Sequence, residues 1–192
     1  MPPRSRIYAA KVGTILLVLG CLSLTSCAPE EPVSDATPTP TVTPLFASEE
    51  EALEAARATY EGFLRISETI VDEDGASSGR IDEFATAEVA EPEKQGFANL
   101  AAANERIVGE IVLENLLLQS YRPQVPGGLG IVSVYACVNV GDTDVVDANG
   151  NSVVAADRPD KTAFEVSFDT YAPSPTKLRL SSKAVWEGSG VC

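Results

Sequence analysis

The chain has 192 residues, a formal net charge of −14 and no histidine. Such an acidic surface repels nucleic acid and anionic lipid headgroups, and no cluster of Lys and Arg offsets it. Without histidine, Ser-His-Asp and Cys-His catalysis and every histidine-ligated metal site are excluded.

The first segment is basic, with Arg4, Arg6 and Lys11, and is followed by an apolar run from Val12 to Leu24. That order is the n-region and h-region of a secretory signal, and the run is short for a membrane span. It ends in Leu24-Thr25-Ser26-Cys27, small residues directly before a thiol. This stretch resembles the lipobox of bacterial lipoproteins. The resemblance implies a signal peptide over residues 1–26 and a diacylglyceryl group on Cys27, the first residue of the mature chain. It therefore implies attachment to the extracytoplasmic face of the cell membrane. Two acyl chains hold durably where one holds only marginally. The alternative is an ordinary signal peptide followed by a chance cysteine.

Under that reading Cys21 leaves with the signal and Cys27 carries lipid, so Cys137 and Cys192 remain. An oxidising compartment makes that pair a disulfide. Residues 27–47 then form a linker in which prolines alternate with threonines at 37–41 and 43–44. It holds too little apolar surface to fold, and its prolines make it an extended spacer of at most about 55 Å.

The globular domain is expected over residues 48–192. Ser48 with Glu51 fits a capping box, and Leu53, Ala56, Tyr60, Phe63, Leu64, Ile70 and Val71 recur at helical spacing. A helix is predicted over 49–71, ended by the polar run from Gly75 to Gly79. A second helical region follows, which Pro92 is expected to divide into helices at 81–90 and 92–104. Ile107 to Tyr121 is predicted as one strand. Gly130 to Val140 alternates, with Val132, Val134, Ala136 and Val138 on one face and Ser133, Tyr135, Cys137 and Asn139 on the other. Asn149-Gly150, between Val145-Val146 and Val153-Val154, predicts a small hairpin. Two half-buried strands close the chain, at 163–171 and 177–187. In the last, Leu178, Leu180, Ala184 and Trp186 are assigned to the apolar face and Lys177, Arg179, Lys183 and Glu187 to the other.

Helices followed by strands give the α+β class. With Tyr-Ala-Cys-Val-Asn-Val at 135–140 and the closing Gly-Val-Cys, the domain resembles secreted actinobacterial lipoproteins of NTF2-like type. That resemblance implies N-terminal helices packed on a curved four-stranded antiparallel sheet, forming a cone. A cystatin-like helix on a sheet is the alternative.

No residue is singled out as catalytic, metal-ligating or cofactor-binding, and no cofactor is expected. Asp72, Asp74 and Glu83 approach the spacing of a calcium loop, but Ser77 stands where its sharp turn requires glycine. Gly127-Gly128-Leu129-Gly130 precedes a strand rather than a helix, so it is a turn and not a phosphate cradle. Some NTF2-like enzymes pair a carboxylate base with a tyrosine, which makes Tyr60, Tyr121, Tyr135 and Asp169 the candidates for a polar group inside the cone. The expected function is an anchored, non-catalytic binding or accessory module of the cell envelope, taking a small hydrophobic ligand or an envelope protein. A small-molecule isomerase or dehydratase and a structural partner domain in a membrane assembly are the alternatives.

Overall fold

The structure, a computed structural model, describes residues 44–171 and 174–192. The expected signal, Cys27 and the Pro/Thr-rich segment through residue 43 lie outside the described residues. Helix α1 spans Glu49–Asp72. Ser48 caps it, its hydroxyl accepting from the Glu51 amide at 3.2 Å. Glu51 reaches back one residue further than a capping box requires, accepting from the Ala47 amide at 2.7 Å. Ahead of the cap, Phe46 is buried and joins the core.

Helix α2 spans Ala87–Ala103 without a break, in place of the two helices expected at 81–90 and 92–104. Residues Ser78–Glu83 form a 3-10 turn instead. Pro92 sits on the exposed side of α2, as does Glu88, whose carbonyl loses its helical donor. Water can satisfy that carbonyl, so the proline does not end the helix.

The main sheet is antiparallel, with strands β2 (Val112–Tyr121), β3 (Val132–Asn139), β5 (Lys161–Tyr171) and β6 (Ser174–Val185) in the order β2-β3-β5-β6. It does not close into a barrel. Its inner face carries Val132, Val134, Ala136, Val166, Phe168 and Leu180, all fully buried against α1 and α2. Between the 3-10 turn and α2 the chain runs along β6: the Thr86 amide donates to the Leu180 carbonyl, and the Leu180 amide to the Phe84 carbonyl, both at 2.8 Å. These bonds tie the start of α2 to the sheet edge.

The strand expected over 107–121 is two strands. Strand β1 (Arg106–Val108) leaves the main sheet and pairs with β4 (Asp144–Val146). The break is at Gly109, whose φ is +92° and where a Cβ would lie 2.0 Å from the Asp142 carbonyl oxygen. Only glycine has both the conformation and the clearance. The predicted hairpin forms in a short version around Asn149-Gly150: Val146 and Ser152 make an antiparallel bridge, and the Val153 amide donates to the Val145 carbonyl at 2.9 Å. Asp147 organises it by accepting from the amides of Asn151 and Asn149, each at 2.8 Å. These bonds, with the Asn151 side chain, hold the Asp147 carboxyl below the usual carboxylate range.

Among the described residues the register of the main sheet shifts at four places. In the β2–β3 register Glu114 and Gln119 are skipped, and in the β5–β6 register Ser181 is skipped and a further shift falls between Thr170 and Tyr171. Each extra residue increases local twist and reverses the side-chain alternation beyond it.

Candidate ligand cavity

A cavity of about 800 Å³ lies between α1, α2, β1 and the inner face of the sheet. Its apolar wall includes Phe63, Leu64, Phe97, Leu100, Val138 and Phe164. Periodicity explains the helical part of that wall: Tyr60, Phe63, Leu64, Ser67, Glu68, Val71 and Asp72 follow the three- and four-residue spacing of one α1 face.

One end of the cavity is polar in a way the alternation rule assigns wrongly. Alternation along 177–187 assigns Lys183 to the solvent face of the last strand and Trp186 to the apolar face. The Ser181 bulge reverses both. Beyond it, Lys183 stands opposite Val166, a fully buried inner residue, while Ala184 stands opposite Glu165. The Lys183 ammonium therefore enters the cavity, 5.2 Å from the Phe63 ring centroid and 5.4 Å from that of Phe164. It pairs with Glu93 at 2.7 Å, the two side chains retaining 23% and 27% of their exposure. Trp186 instead packs on the outer face against Tyr135, ring centroids 4.6 Å apart. Neither Glu93 nor Lys183 was a sequence candidate. The available signal was the pair Ser181-Ser182, which interrupts an otherwise apolar inward register.

Of the four candidate polar groups, the structure brings Tyr60 alone into the cavity. Tyr60 is 1% exposed. Burial pushes its hydroxyl pKa well above that of free tyrosine, and the nearby Glu93 charge adds to the shift. Tyr121 is used elsewhere, accepting from the Phe46 amide at 2.9 Å and donating to the Phe46 carbonyl at 2.8 Å. Tyr135 lies on the outer face, where Gln119 donates to its hydroxyl at 2.6 Å. Asp169 accepts from the Gly130 amide at 2.6 Å and holds the turn before β3.

The residues that approached calcium-loop spacing are dispersed. Glu83 pairs with Lys177 at 3.2 Å, and Glu73 pairs with Arg80. Among the described residues, no group of three or more acidic or thiol side chains converges as a metal site. No helix among them is long and apolar enough to cross a membrane.

Cys137 and Cys192 are joined as a disulfide, their Cα atoms 5.1 Å apart. The bond brings the C-terminal segment onto the outer sheet face, where Val191 is buried and its carbonyl accepts from the Asn115 side chain at 3.3 Å. Beside it, Lys161 and Asn139 hold the Glu114 carboxyl below its ordinary range. The disulfide and the cavity thus occupy opposite faces of one sheet.

No family model matches the chain, and no curated protein matches it. Among solved structures, the intermembrane space region of the chloroplast protein ARC6 matches with a TM-score of 0.49 and 12% identity, over 69% of this chain and 95% of that one.

Proposed function

We propose that this chain is an extracytoplasmic lipoprotein, anchored to the cell membrane through Cys27, whose domain is a non-catalytic binding module of NTF2-like type. The carrying observation is the cavity of about 800 Å³ between the helices and the concave sheet face. Ligand sites are concave and within about 300–1,000 Å³, with an apolar wall and polar groups that fix orientation. Two helices over a bulged sheet support the NTF2-like cone over a cystatin-like domain. An open cavity also favours a ligand over a purely structural partner role, which would fill the cone with side chains. The lipid, the Pro/Thr-rich spacer and the disulfide-bonded domain together hold that cavity at a distance from the membrane.

The isomerase reading has one observation in its favour, a buried tyrosine beside a carboxylate. However, Glu93 is already held by the Lys183 ammonium at 2.7 Å, where a general base must be free to take a proton. Binding is the better account of the same groups.

Two measurements test the reading. Mass spectrometry should find a diacylated Cys27 at the mature N-terminus, and Cys27→Ala should release the protein from the membrane. A variant that stays membrane-bound refutes the anchor. A thermal-shift screen of envelope lipids and small hydrophobic compounds should find stabilising ligands. No stabilisation, with membrane proteins co-purifying, would replace the binding reading with the partner-domain one.

A further inference from the structure

The lining of the cavity narrows the chemistry of its ligand. Four acidic residues, Glu68, Asp72, Glu93 and Glu105, line the cavity against a single lysine, Lys183; Asp72 is exposed and the other three are half-buried. Glu93 takes up the Lys183 ammonium. Glu68, Asp72 and Glu105 form no ion pair among the described residues. Glu68 has one oxygen engaged, accepting from the Ile111 amide at 3.2 Å. Asp72 is the last residue of α1, and Glu105 follows the C-cap of α2. Both helices therefore turn their negative dipole ends toward this part of the cavity, and neither has a basic residue in its last turn. Acids at helix C-termini are unfavourable in the free protein, and a cation would relieve that.

The neutralised pair sits at the Phe63 end of the α1 wall, with the Lys183 ammonium 5.2 Å from the Phe63 ring centroid. Along the helix axis Asp72 lies about 18 Å from Tyr60 and Glu68 about 12 Å. Phe63, Leu64, Phe97 and Leu100 supply the apolar wall of the cavity. Tyr60, 1% exposed, lines this same cavity. The acids do not converge as metal ligands. A bare ion therefore fits poorly, whereas an organic cation can meet spaced carboxylates one by one.

Resting on the binding reading above, we propose that the ligand is an organic cation: an apolar body with a protonated amine at one end. The amine meets Glu68, Asp72 and Glu105. The body lies along the aromatic and aliphatic wall, and any group at the far end is small, neutral and hydrogen-bonding, facing Tyr60. Carboxylate amphiphiles such as fatty acids are disfavoured, because the sole ammonium in the lining is already neutralised.

Phenylbutylamine, phenylbutanol and phenylbutyrate share one body and differ in head charge. Each is titrated into the full-length chain at neutral pH by calorimetry. The amine should bind at least about tenfold more tightly than the alcohol, with the preference shrinking as salt is added, and the carboxylate should bind weakest. Asp72→Asn with Glu105→Gln should bring the amine to the affinity of the alcohol while leaving alcohol binding intact, which also shows that the variant is folded. Glu54→Gln, an exposed acid of α1 outside the cavity lining, should leave the preference unchanged. Equal binding of amine and alcohol, or tighter binding of the carboxylate, overturns the cationic ligand and leaves the cavity reading standing. Equal loss of preference from Glu54→Gln also overturns it, since the attraction would then be diffuse. No binding by any of the three overturns both.

Discussion

Replacing Lys183 by methionine removes the ammonium from the cavity wall and keeps most of the side-chain volume. Glu93 is left with about a quarter of its surface exposed (27%) and no cation beside it. An exposed ion pair is worth about 0–1 kcal/mol, whereas breaking a buried one costs about 3–5 kcal/mol. The burial of this pair lies between those limits, so Lys183→Met should cost about 1.5–3 kcal/mol. Glu93→Gln alone should cost a similar amount. The double variant should recover most of the loss, because it leaves no uncompensated charge against the aromatic wall, giving a coupling of at least about 1 kcal/mol. Lys161→Met supplies the comparison. Its pair with Glu114 has the same 2.7 Å separation, but the side chains are 46% and 31% exposed, so its cost should stay under about 1 kcal/mol. Urea unfolding followed through Trp186, the single tryptophan, measures all four variants. If Lys183→Met costs no more than Lys161→Met, or if the double variant loses the sum of the two single losses, the pair is not the half-buried, coupled element described above.

Cys192→Ser opens a loop with a sequence separation of 55 residues, which should cost up to about 4 kcal/mol on the chain-entropy argument. Reductant should lower the wild-type urea midpoint and leave the variant unmoved, and two titratable thiols in protein from its native compartment would contradict the bridge. Gly109→Ala meets both a positive φ and the Asp142 carbonyl oxygen, so it should cost more than about 1 kcal/mol and release the β1 amides to hydrogen exchange. Gly150→Ala has a similar φ of +83° but open space around it and should cost less; equal losses would show that crowding at Gly109 is not the constraint. Tyr60→Phe probes the buried hydroxyl. Below the ordinary tyrosine value of about 10, the hydroxyl is protonated in both folded and unfolded states. Above that value the unfolded chain releases the proton while buried Tyr60 retains it, so its contribution to stability is lost as pH rises. The phenylalanine variant should show a flatter alkaline limb in unfolding free energy; an unchanged limb would mean that the folded-state hydroxyl is not held protonated.

What the sequence discloses, and what it hides, follows from how far each pattern reaches. Helix α1 is legible because its cap and its periodicity are both local: Ser48 and Glu51 mark the start, and one face carries Tyr60, Phe63 and Ile70 into the core. Strands β3 and β5 are legible because their pairing with each other runs from Val132–Phe168 to Asn139–Lys161 with no bulge to interrupt alternation. The errors occur where a local rule meets a distant partner. Pro92 is tolerated because it and Glu88, whose carbonyl it frees, are exposed residues of α2 that water can reach, and Gly109 breaks a strand because the Asp142 carbonyl crosses there.

The Ser181 bulge has the largest consequence. Alternation along 177–187 presumes an unbroken register, and one extra residue exchanges the faces of everything after it. The same event sends Lys183 inward to Glu93 and turns Trp186 outward to Tyr135. Position along the strand is therefore a poor guide to the cavity, since the group that neutralises its inner acid belongs, on pattern alone, to the solvent face. Glu68 is misplaced by pattern as well: it counts with Glu54, Arg57, Glu61 and Arg65 on the polar face of α1, yet it lines the cavity with Leu64 and Asp72, four residues to either side. What the periodicity could not supply is the closing wall: β1 and the end of α2 arrive through the break at Gly109 and the continuous helix across Pro92, and they bring Glu105 with them.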